Sequence, residues 1–335
     1  MLRSDDLIGI GMEADVVRRR LHPGNVVSYQ VDRNINYTNI CTEYCSFCAF
    51  YRPVGSPEGY VQPLESIYRK IDETLALGGT GILMQGGLHP DLKIDYYENL
   101  LSSIKRRYPQ LHLHCFSAPE VLNIAELSGL SLRDAILRLR DAGLDSIPGA
   151  GAEILDDEVR HRIARLKCST EEWIAVHRTA HQLGLRTTAT MMFGCGETLE
   201  HRVRHVERLR QLQEETGGFT AFIPWMFQPT HTSLGRTIKE EATAVDYLKT
   251  LAVSRCYLEN ILNVQASWLT PGHKICQIAL RFGGNDVGSI LIEENVVSAA
   301  GCTNTSTEEQ LRRLIADAGF RPVKRDTLYR TYFLN

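Results

Sequence analysis

The feature that most constrains the fold is a regular alternation of short β-rich runs with helical segments. Residues that favour strands are concentrated in eight stretches: 27–38, 80–87, 111–117, 144–149, 186–194, 219–225, 263–268 and 286–292. Between these stretches, apolar residues recur at the spacing of an amphipathic helix. Such alternation indicates parallel strands joined by right-handed crossovers, and eight units of this kind close into a ring. We therefore predict an α/β fold, a (β/α)8 barrel of the TIM type.

The sequence gives no sign of a division into two ordinary domains. No long Pro, Gly or Ser linker interrupts the chain, and a single barrel can reach its length of 335 residues. We predict an N-terminal helical extension over residues 1–26 and a barrel over residues 27–335 that ends in a C-terminal helix. Two barrel helices are expected to begin near Asp95 and Ser169, since both are suitable N-cap residues.

Charge and cysteine usage limit the possible partners and the compartment. The chain has 37 Lys and Arg against 40 Asp and Glu, a balance that does not suggest nucleic acid as a partner. No stretch approaches the run of about 18 apolar residues that a membrane span needs. The nine cysteines are scattered and odd in number, which favours a reducing, cytoplasmic location over a disulfide framework. Six are expected to be small buried apolar residues: Cys115, Cys168, Cys195, Cys256, Cys276 and Cys302.

The remaining three cysteines lie together in NICTEYCSFCAF, residues 39–50, as Cys41, Cys45 and Cys48. A structural zinc ion needs four ligands, and no second CxxC pair follows. A redox dithiol would use Cys45 and Cys48 and leave Cys41 without a role. A 4Fe-4S cluster on three thiolates would keep one iron open to a small molecule. A zinc-stabilised binding module and a non-catalytic electron carrier remain as alternatives to an enzyme.

Cysteine, glycine, acidic and other polar or aromatic residues follow the predicted strands, the position at which a barrel carries its catalytic and binding residues. Because the carboxyl ends of all the strands meet at one face, we expect these residues to surround one mouth. They are the three cysteines, Gly86, Gly87, His89, Ser117, Glu120, Glu153, Gly194, Glu197, Trp225, Gln228, Ser267 and Trp268.

The CxxxCxxC spacing, with the aromatic Phe47 directly before the last cysteine, resembles the signature of the radical S-adenosylmethionine enzymes. The resemblance implies a 4Fe-4S cluster on Cys41, Cys45 and Cys48, with S-adenosylmethionine bound to the open iron. It also implies an electron donor such as flavodoxin or ferredoxin. One electron would then release a 5'-deoxyadenosyl radical that takes hydrogen from a small-molecule substrate.

The same resemblance suggests further cofactor contacts. Gly86 and Gly87 match the glycine turn at the methionine ammonium, although a tight turn alone would need the same residues. Glu153 resembles an acid that contacts the ribose or the ammonium, and Glu197 in MMFGCGET resembles a turn beside the adenine. Either glutamate could instead cap the helix that follows it. The full set expected at the cofactor is Phe47, Gly86, Gly87, Ser117, Glu153 and Glu197.

Several longer segments, including NINYTN, IPGAGAEIL, TTATMMFG and NDVGSILIEENVVSAAG, resemble the family of cyclic dehypoxanthine futalosine synthases, which act on the futalosine route to menaquinone. Aminofutalosine synthase and the tyrosine-using subunit of deazaflavin synthase share the scaffold and remain alternatives. The resemblance implies dehypoxanthine futalosine as substrate, a ribose that carries a carboxyphenyl ketone arm. Hydrogen would leave C4' of the ribose, and the carbon radical would add to the arene.

Restoring aromaticity after that addition requires loss of a proton and an electron, so a base and an electron acceptor are both needed. His89 is the candidate base and catalytic residue. Its alternative is a polar loop histidine before Pro90. Glu120, Gln228 and Asp286 are candidates for binding the substrate hydroxyls because they lie at or near predicted strand ends. Asp286 stands at the start of its run, so it would be structural if the strand begins there.

Overall fold

The structure is a computed structural model that describes residues 1–330 together with the backbone of Tyr332–Phe333. Its strands are β1 Val26–Gln30, β2 Asp32–Ile35, β3 Gly81–Met84, β4 His112–Cys115, β5 Ser146–Ile147, β6 Arg186–Phe193, β7 Phe219–Met226, β8 Asn263–Val264, β9 Asp286–Ser289, β10 Arg321–Arg325 and β11 Tyr332–Phe333. Its helices are α1 Leu7–Leu21, α2 Leu64–Ala76, α3 Ile94–Arg107, α4 Ala118–Leu127, α5 Leu132–Ala142, α6 Asp157–Ile163, α7 Thr170–Gln182, α8 Leu199–Thr216, α9 Ala244–Tyr257, α10 His273–Ala279, α11 Val296–Ala299 and α12 Glu308–Asp317, and a 3-10 turn spans Leu234–Arg236.

The strands form two sheets that meet to make a barrel. A seven-stranded parallel sheet runs in chain order from β2 to β8, and a four-stranded sheet has the order β11-β10-β1-β9. The chain passes from β1 into β2 through Val31, and a parallel bridge between Gln265 and Asp286 joins the two sheets beyond β8. The predicted α/β barrel is confirmed, since alternating strands and helices surround a common interior.

Each predicted β-rich run contains a strand, but the first run contains two. Residues of β1 pair with β10 and β9, whereas residues of β2 pair with β3, so the run changes sheets at Val31. The helix expected near the C-terminus is present as α12. The parallel strand β10 that follows it was not predicted, because its sequence RPVKR lacks an apolar alternation that would mark a strand.

Helices cover the outside of the ring with apolar faces, as α2 does with Ile67 and Ile71. Ser169 is the N-cap of α7 and forms a capping box with Glu172, as its sequence predicted. The expected cap at Asp95 is wrong, because α3 begins at Ile94 and the carboxylate lies inside its first turn. None of the described helices is both long and apolar enough to cross a bilayer.

The barrel strands separate a packed outer core from an inner cavity. On β3, Ile82 and Met84 are buried beneath the helices, while Leu83 and the following Gln85 line the cavity. This division follows from the strand period of two, which sends successive side chains to opposite faces. Residues that face the interior are therefore available for binding, and those that face outward stabilise the fold.

Candidate active site

A cavity of about 430 Å³ lies inside the barrel. All three cysteines of the CxxxCxxC loop line it, together with inward-facing residues of the strands. Many of the residues expected at the mouth are part of its wall: Phe47, Gly86, Gly87, Ser117, Glu120, Glu153, Trp225, Ser267 and Trp268. The topology therefore brings together most of the groups that follow separate strands.

Backbone hydrogen bonds to distant segments hold the cysteine loop in place. The amide of Cys41 donates to the carbonyl of Arg52 at 3.0 Å, and the amide of Ser46 donates to Ile163 at 2.9 Å. The carbonyl of Ser46 accepts in turn from Leu234 at 2.8 Å. Cys41 and Cys45 are buried and Cys48 is half-buried. The three thiols are thus presented at the cavity by a loop that the rest of the barrel fixes.

Burial makes two of the three thiols harder to ionise, so the case for a bound metal rests on the donor set. Burial raises the pKa of Cys45 to about 12 and also raises that of Cys41, although Lys167 partly offsets both shifts. Cys41 and Cys45 would therefore stay protonated near neutral pH until a metal displaced the protons. Thiolates are the ligands that iron-sulfur clusters use, so the donor set fits an implied 4Fe-4S cluster.

Glu153 presents an unpartnered carboxylate oxygen at the cavity wall. Its Oε1 accepts from Nζ of Lys167 at 3.0 Å, whereas Oε2 lies 3.6 Å from Arg160 and has no hydrogen-bond partner among the described residues. The residue adopts a left-handed backbone with φ of 41°, which is strained for a glutamate. The alternative role as a helix cap is wrong, because Asp156 caps α6. Oε2 has an ion pair with Arg160 but no hydrogen bond, so it can accept one from a ligand.

The glycine turn after β3 is required by its packing against the cysteine loop. A Cβ on Gly87 would lie 2.2 Å from the carbonyl oxygen of Ile40 and 2.8 Å from Cβ of Cys41. A Cβ on Gly86 would lie 2.7 Å from the ring of Tyr37. The turn and the cysteine loop therefore form one closely packed unit, which only glycine allows.

Glu120 lies in the cavity wall, but its carboxylate is already used to hold this turn. It accepts from the hydroxyl of Tyr37, the amide of Gly86, and the amide and hydroxyl of Ser117 at 2.6–2.9 Å. Ser117 and Glu120 form the capping box of α4, so both side chains also begin that helix. This bonding leaves Glu120 a positioning role and does not support the predicted contact with substrate.

The structure does not bring His89 or Gln228 to the cavity. Nδ1 of His89 accepts from the amide of Asp91 at 3.1 Å, which supports the alternative of a loop histidine. Burial lowers the pKa of His89. The amide of Gln228 donates back to the carbonyl of Met226 at 3.3 Å. The predicted roles of these two residues as base and substrate contact therefore remain predictions that the cavity lining does not support.

Glu197 and Asp286 also lie outside the cavity wall. Each is held in an internal ion pair. Glu197 accepts from the amides of Gly194 and Cys195 and pairs with Arg202 at 2.7 Å. Burial opposes its charge, but Arg202 and the amides outweigh that effect and lower its pKa. Its alternative as a helix cap is also wrong, since Thr198 caps α8.

Asp286 is the first residue of β9, and it pairs with Arg325 at 2.6 Å. The structural alternative is therefore the correct one for this residue. Both of its carboxylate oxygens accept from the guanidinium of Arg325, so its charge is already paired within the protein.

Sequence reasoning missed several residues that do line the cavity. Lys167 lies beside Glu153 and 5.2 Å from the ring centroid of Phe47. Arg325 reaches the cavity from the unpredicted strand β10. Asp32 and Asn34 face inward from β2. The last two had a signal, because polar residues alternate along the first run at Gln30, Asp32, Asn34 and Asn36.

A three-cysteine loop at the mouth of a parallel barrel is the arrangement of a radical S-adenosylmethionine enzyme. Residues 35–209 match the model of the Radical SAM superfamily. The chain belongs to this superfamily. The solved structure of methylornithine synthase is similar in fold, with a TM-score of 0.72 and 20% identity over 96% of this chain and 90% of that one.

Residues 216–334 match a second model, described as the CofH/MqnC C-terminal region. A cyclic dehypoxanthine futalosine synthase of Halalkalibacterium halodurans is 47% identical over 98% of this chain and 88% of its own length. A 5-amino-6-(D-ribitylamino)uracil–L-tyrosine 4-hydroxyphenyl transferase of Methanococcoides burtonii is 42% identical over 95% of this chain and 90% of its own. An aminodeoxyfutalosine synthase of Thermus thermophilus is 39% identical over 98% of this chain and 90% of its own.

Proposed function

We propose that this enzyme converts dehypoxanthine futalosine to cyclic dehypoxanthine futalosine on the futalosine route to menaquinone. The observation that carries the proposal is the 47% identity, over 98% of the chain, to a cyclic dehypoxanthine futalosine synthase. The cavity suits such a substrate, because it has both polar and apolar walls. Alternate residues Ala221, Ile223 and Trp225 of β7 supply apolar surface, while Asp32 and Asn34 supply polar groups.

The residues at the mouth support a cluster and a co-substrate. Cys41, Cys45 and Cys48 would hold a 4Fe-4S cluster, and Glu153 would accept hydrogen bonds from S-adenosylmethionine. When bound, these groups supply the 5'-deoxyadenosyl radical that can remove hydrogen from C4' of the ribose. The barrel orients the ribose toward the mouth and keeps water from it. A flavodoxin or ferredoxin in a reducing cytoplasm is the proposed electron donor.

An anaerobic assay with site-labelled substrate tests the proposed reaction. Reconstituted enzyme is given dehypoxanthine futalosine that carries deuterium only at C4', together with S-adenosylmethionine and a reductant. We expect a cyclic product and 5'-deoxyadenosine that contains the deuterium, because the radical carbon is the acceptor of that atom. Cyclic product accompanied by unlabelled 5'-deoxyadenosine would contradict abstraction at C4'.

Parallel assays distinguish the related reactions. The 42% identical relative is named for a reaction between tyrosine and a ribitylaminouracil, so this pair is the first alternative substrate. The enol ether substrate of aminofutalosine synthase is the second, and adenosine carbon would then remain in the product. Turnover of either alternative substrate, with dehypoxanthine futalosine left unchanged, would overturn the proposed function. The assignment of the chain to the Radical SAM superfamily would still hold.

A further inference from the structure

The segment from the end of β1 through β2 presents a row of polar side chains to the cavity. Gln30, Asp32, Asn34 and Asn36 are alternate residues, and all four line it. Both polar atoms of the Gln30 side chain have partners, since Nε2 donates to Thr327 and Oε1 accepts from Arg325. A barrel interior is usually filled by branched apolar side chains, so a polar row of this kind calls for partners.

The amide of Asn36 is also paired at both ends. Its Nδ2 donates to the carbonyl of Gln85 at 3.1 Å, and its Oδ1 accepts from Asn295 at 3.2 Å. The two members at the ends of the row are thus satisfied by the protein, which leaves the two in the middle.

Asp32 and Asn34 each keep an acceptor without a donor. Oδ1 of Asp32 and Oδ1 of Asn34 are buried, and neither has a hydrogen-bond partner within the part of the chain that the structure describes. The two residues are only 9% and 5% exposed. A buried acceptor without a donor is costly, so natural proteins rarely retain one unless it has a function. Two such acceptors on one strand, both on residues that line one cavity, indicate a ligand with two donors.

Nearby cations do not satisfy Asp32. The guanidinium of Arg325 is directed to both carboxylate oxygens of Asp286, to Gln30 and to the carbonyl of Asp326. Asp32 belongs to no ion pair within residues 1–330. Burial accordingly raises its pKa to about 6, with Ser289 and Arg325 offsetting part of the effect. The carboxylate is still largely ionised near neutral pH, and it is then a strong acceptor for hydroxyl groups.

We propose that Asp32 and Asn34 form the subsite that binds the sugar hydroxyls of the substrate. This inference rests on the proposed function, which supplies a ribose with neighbouring hydroxyls. Each hydroxyl donates to one Oδ1, so the polar face of β2 holds the sugar while Ala221, Ile223 and Trp225 of β7 contact the aromatic arm. The spacing of alternate strand residues, about 6.5–7 Å along the strand, is compatible with two neighbouring hydroxyls reached by flexible side chains.

The test measures binding without turnover. Enzyme with its cluster and S-adenosylmethionine, but without reductant, is titrated with dehypoxanthine futalosine by isothermal calorimetry. Asp32→Asn should weaken binding roughly tenfold or more, because the bond to a charged acceptor is lost. Asn34→Leu should weaken it by about two- to tenfold, as expected for a neutral hydrogen bond. Affinity for S-adenosylmethionine should not change in either variant.

Arg33→Lys is the matched control, because Arg33 lies on the same strand between the two residues and points outward to pair with Glu73. It should bind substrate with an affinity within about twofold of wild type, since the Arg33 side chain is buried away from the cavity and is not part of its lining. Unchanged substrate affinity in both cavity variants would overturn the subsite. Weakened S-adenosylmethionine binding, with substrate affinity unchanged, would overturn it too, because the acceptors would then serve the cofactor.

Deoxy analogues of the substrate show whether the lost bond is one to a hydroxyl. Wild-type enzyme should bind the 2'-deoxy or the 3'-deoxy compound less tightly than the parent. Asp32→Asn should discriminate less than wild type between the parent and at least one of these analogues, since its amide oxygen is a weaker acceptor than the carboxylate. If the variant discriminates among the three compounds as wild type does, Asp32 does not bind a sugar hydroxyl.

A second ligand separates failure of the subsite from failure of the proposed function. If wild type does not bind dehypoxanthine futalosine, the same variants are titrated with 5-amino-6-(D-ribitylamino)uracil, which also carries neighbouring hydroxyls. Selective loss of its binding in Asp32→Asn would support the subsite although the proposed function had failed. If wild type binds neither compound, the subsite is overturned as well.

Discussion

At the scale of single residues, Asp32 carries a carboxylate whose charge is disfavoured by burial. Its pKa of about 6, against a usual 3.8, means that the folded state binds the proton more tightly than the unfolded state does. The cost of the charge is therefore absent well below pH 4, grows as the pH rises, and is complete above about pH 6. Asp32→Asn should stabilise the protein at pH 7.5 by about 2–3 kcal/mol.

Urea unfolding at pH 7.5 and pH 5 checks this prediction, and the gain at pH 5 should be about half as large. A variant that binds substrate more weakly yet unfolds less readily would identify Asp32 as a residue kept for function. Equal destabilisation at both pH values would instead indicate a structural role.

The three cysteines of the loop should be required for iron but not for the fold. Replacing Cys41, Cys45 or Cys48 by Ala should abolish iron binding and activity, because no replacement ligand stands in the same loop position. Circular dichroism should still report a folded barrel, since each change removes a single sulfur atom from the packed interior. Iron content and visible absorption measure the outcome.

Cys256→Ala is the control for these variants, because Cys256 lies on α9 and outside the cavity wall. Small packing losses of about 1 kcal/mol are expected there, with normal iron content. Retention of iron and turnover by all three loop variants would contradict the assignment of the cluster ligands.

Glu153→Gln keeps the shape of the side chain but removes the charge beside Lys167. Binding of S-adenosylmethionine should weaken by about 1.5–3 kcal/mol, the usual range for a hydrogen bond to a charged group. The cluster should remain, since Glu153 is not one of the cluster ligands. Equilibrium dialysis with the oxidised enzyme measures the change, and Glu172→Gln, which alters only the capping box of α7, serves as control. An unchanged dissociation constant would exclude Glu153 from the cofactor site.

At the scale of elements, the glycine turn after β3 and the cysteine loop act as a unit. Gly87→Ala should lower iron content and stability, because the added Cβ would overlap the carbonyl of Ile40 at 2.2 Å and force the loop to shift. Gly24→Ala is the matched control, since its Cβ would meet only Val26 at an ordinary 3.8 Å. Normal iron loading in Gly87→Ala would show that the contact is not essential.

Sequence patterns predicted those elements whose signal is local. Strands β3 to β9 and the cap of α7 at Ser169 were found, because strand propensity and capping depend on neighbouring residues. The division of the first run into β1 and β2 was not, since it depends on pairing with β10 almost 300 residues away. The predicted substrate contact at Asp286 depended on where its strand begins. The strand β9 begins at Asp286 itself, and the Asp286 carboxylate pairs with Arg325.

The site was predicted in the same uneven way. The cysteine loop was evident because its ligands are close in sequence, and Glu153 lies at the cavity as expected. Glu197 and Glu120 have the right residue type, but local amides and hydroxyls already occupy their carboxylates. Asp32 was overlooked although polar residues alternate along its run, because the closed barrel is needed to show that this polar face of β2 is the internal one.

At the scale of the whole molecule, β10 connects the C-terminal region to the interior of the barrel. It lies parallel to β1 and directs Arg325 against Asp286 of β9, so a single side chain joins segments about 40 residues apart. Both members of the pair are buried, at 4% and 0% side-chain exposure. The C-terminal sheet therefore depends on an ion pair that water does not screen.

Arg325→Met should destabilise the protein by about 3–5 kcal/mol, because it leaves the carboxylate of Asp286 buried with only neutral hydrogen bonds. Adding Asp286→Asn to the same chain should restore a large part of the loss, since the remaining cost is that of the unpaired charge. Arg313→Met is the matched control: its pair with Asp317 is exposed, so removal should cost at most about 1 kcal/mol. Urea unfolding of the three variants at pH 7.5 measures these differences. If Arg325→Met were no more harmful than Arg313→Met, the pair would not hold β10 to the barrel, and the C-terminal sheet would have to be stabilised by its apolar contacts alone.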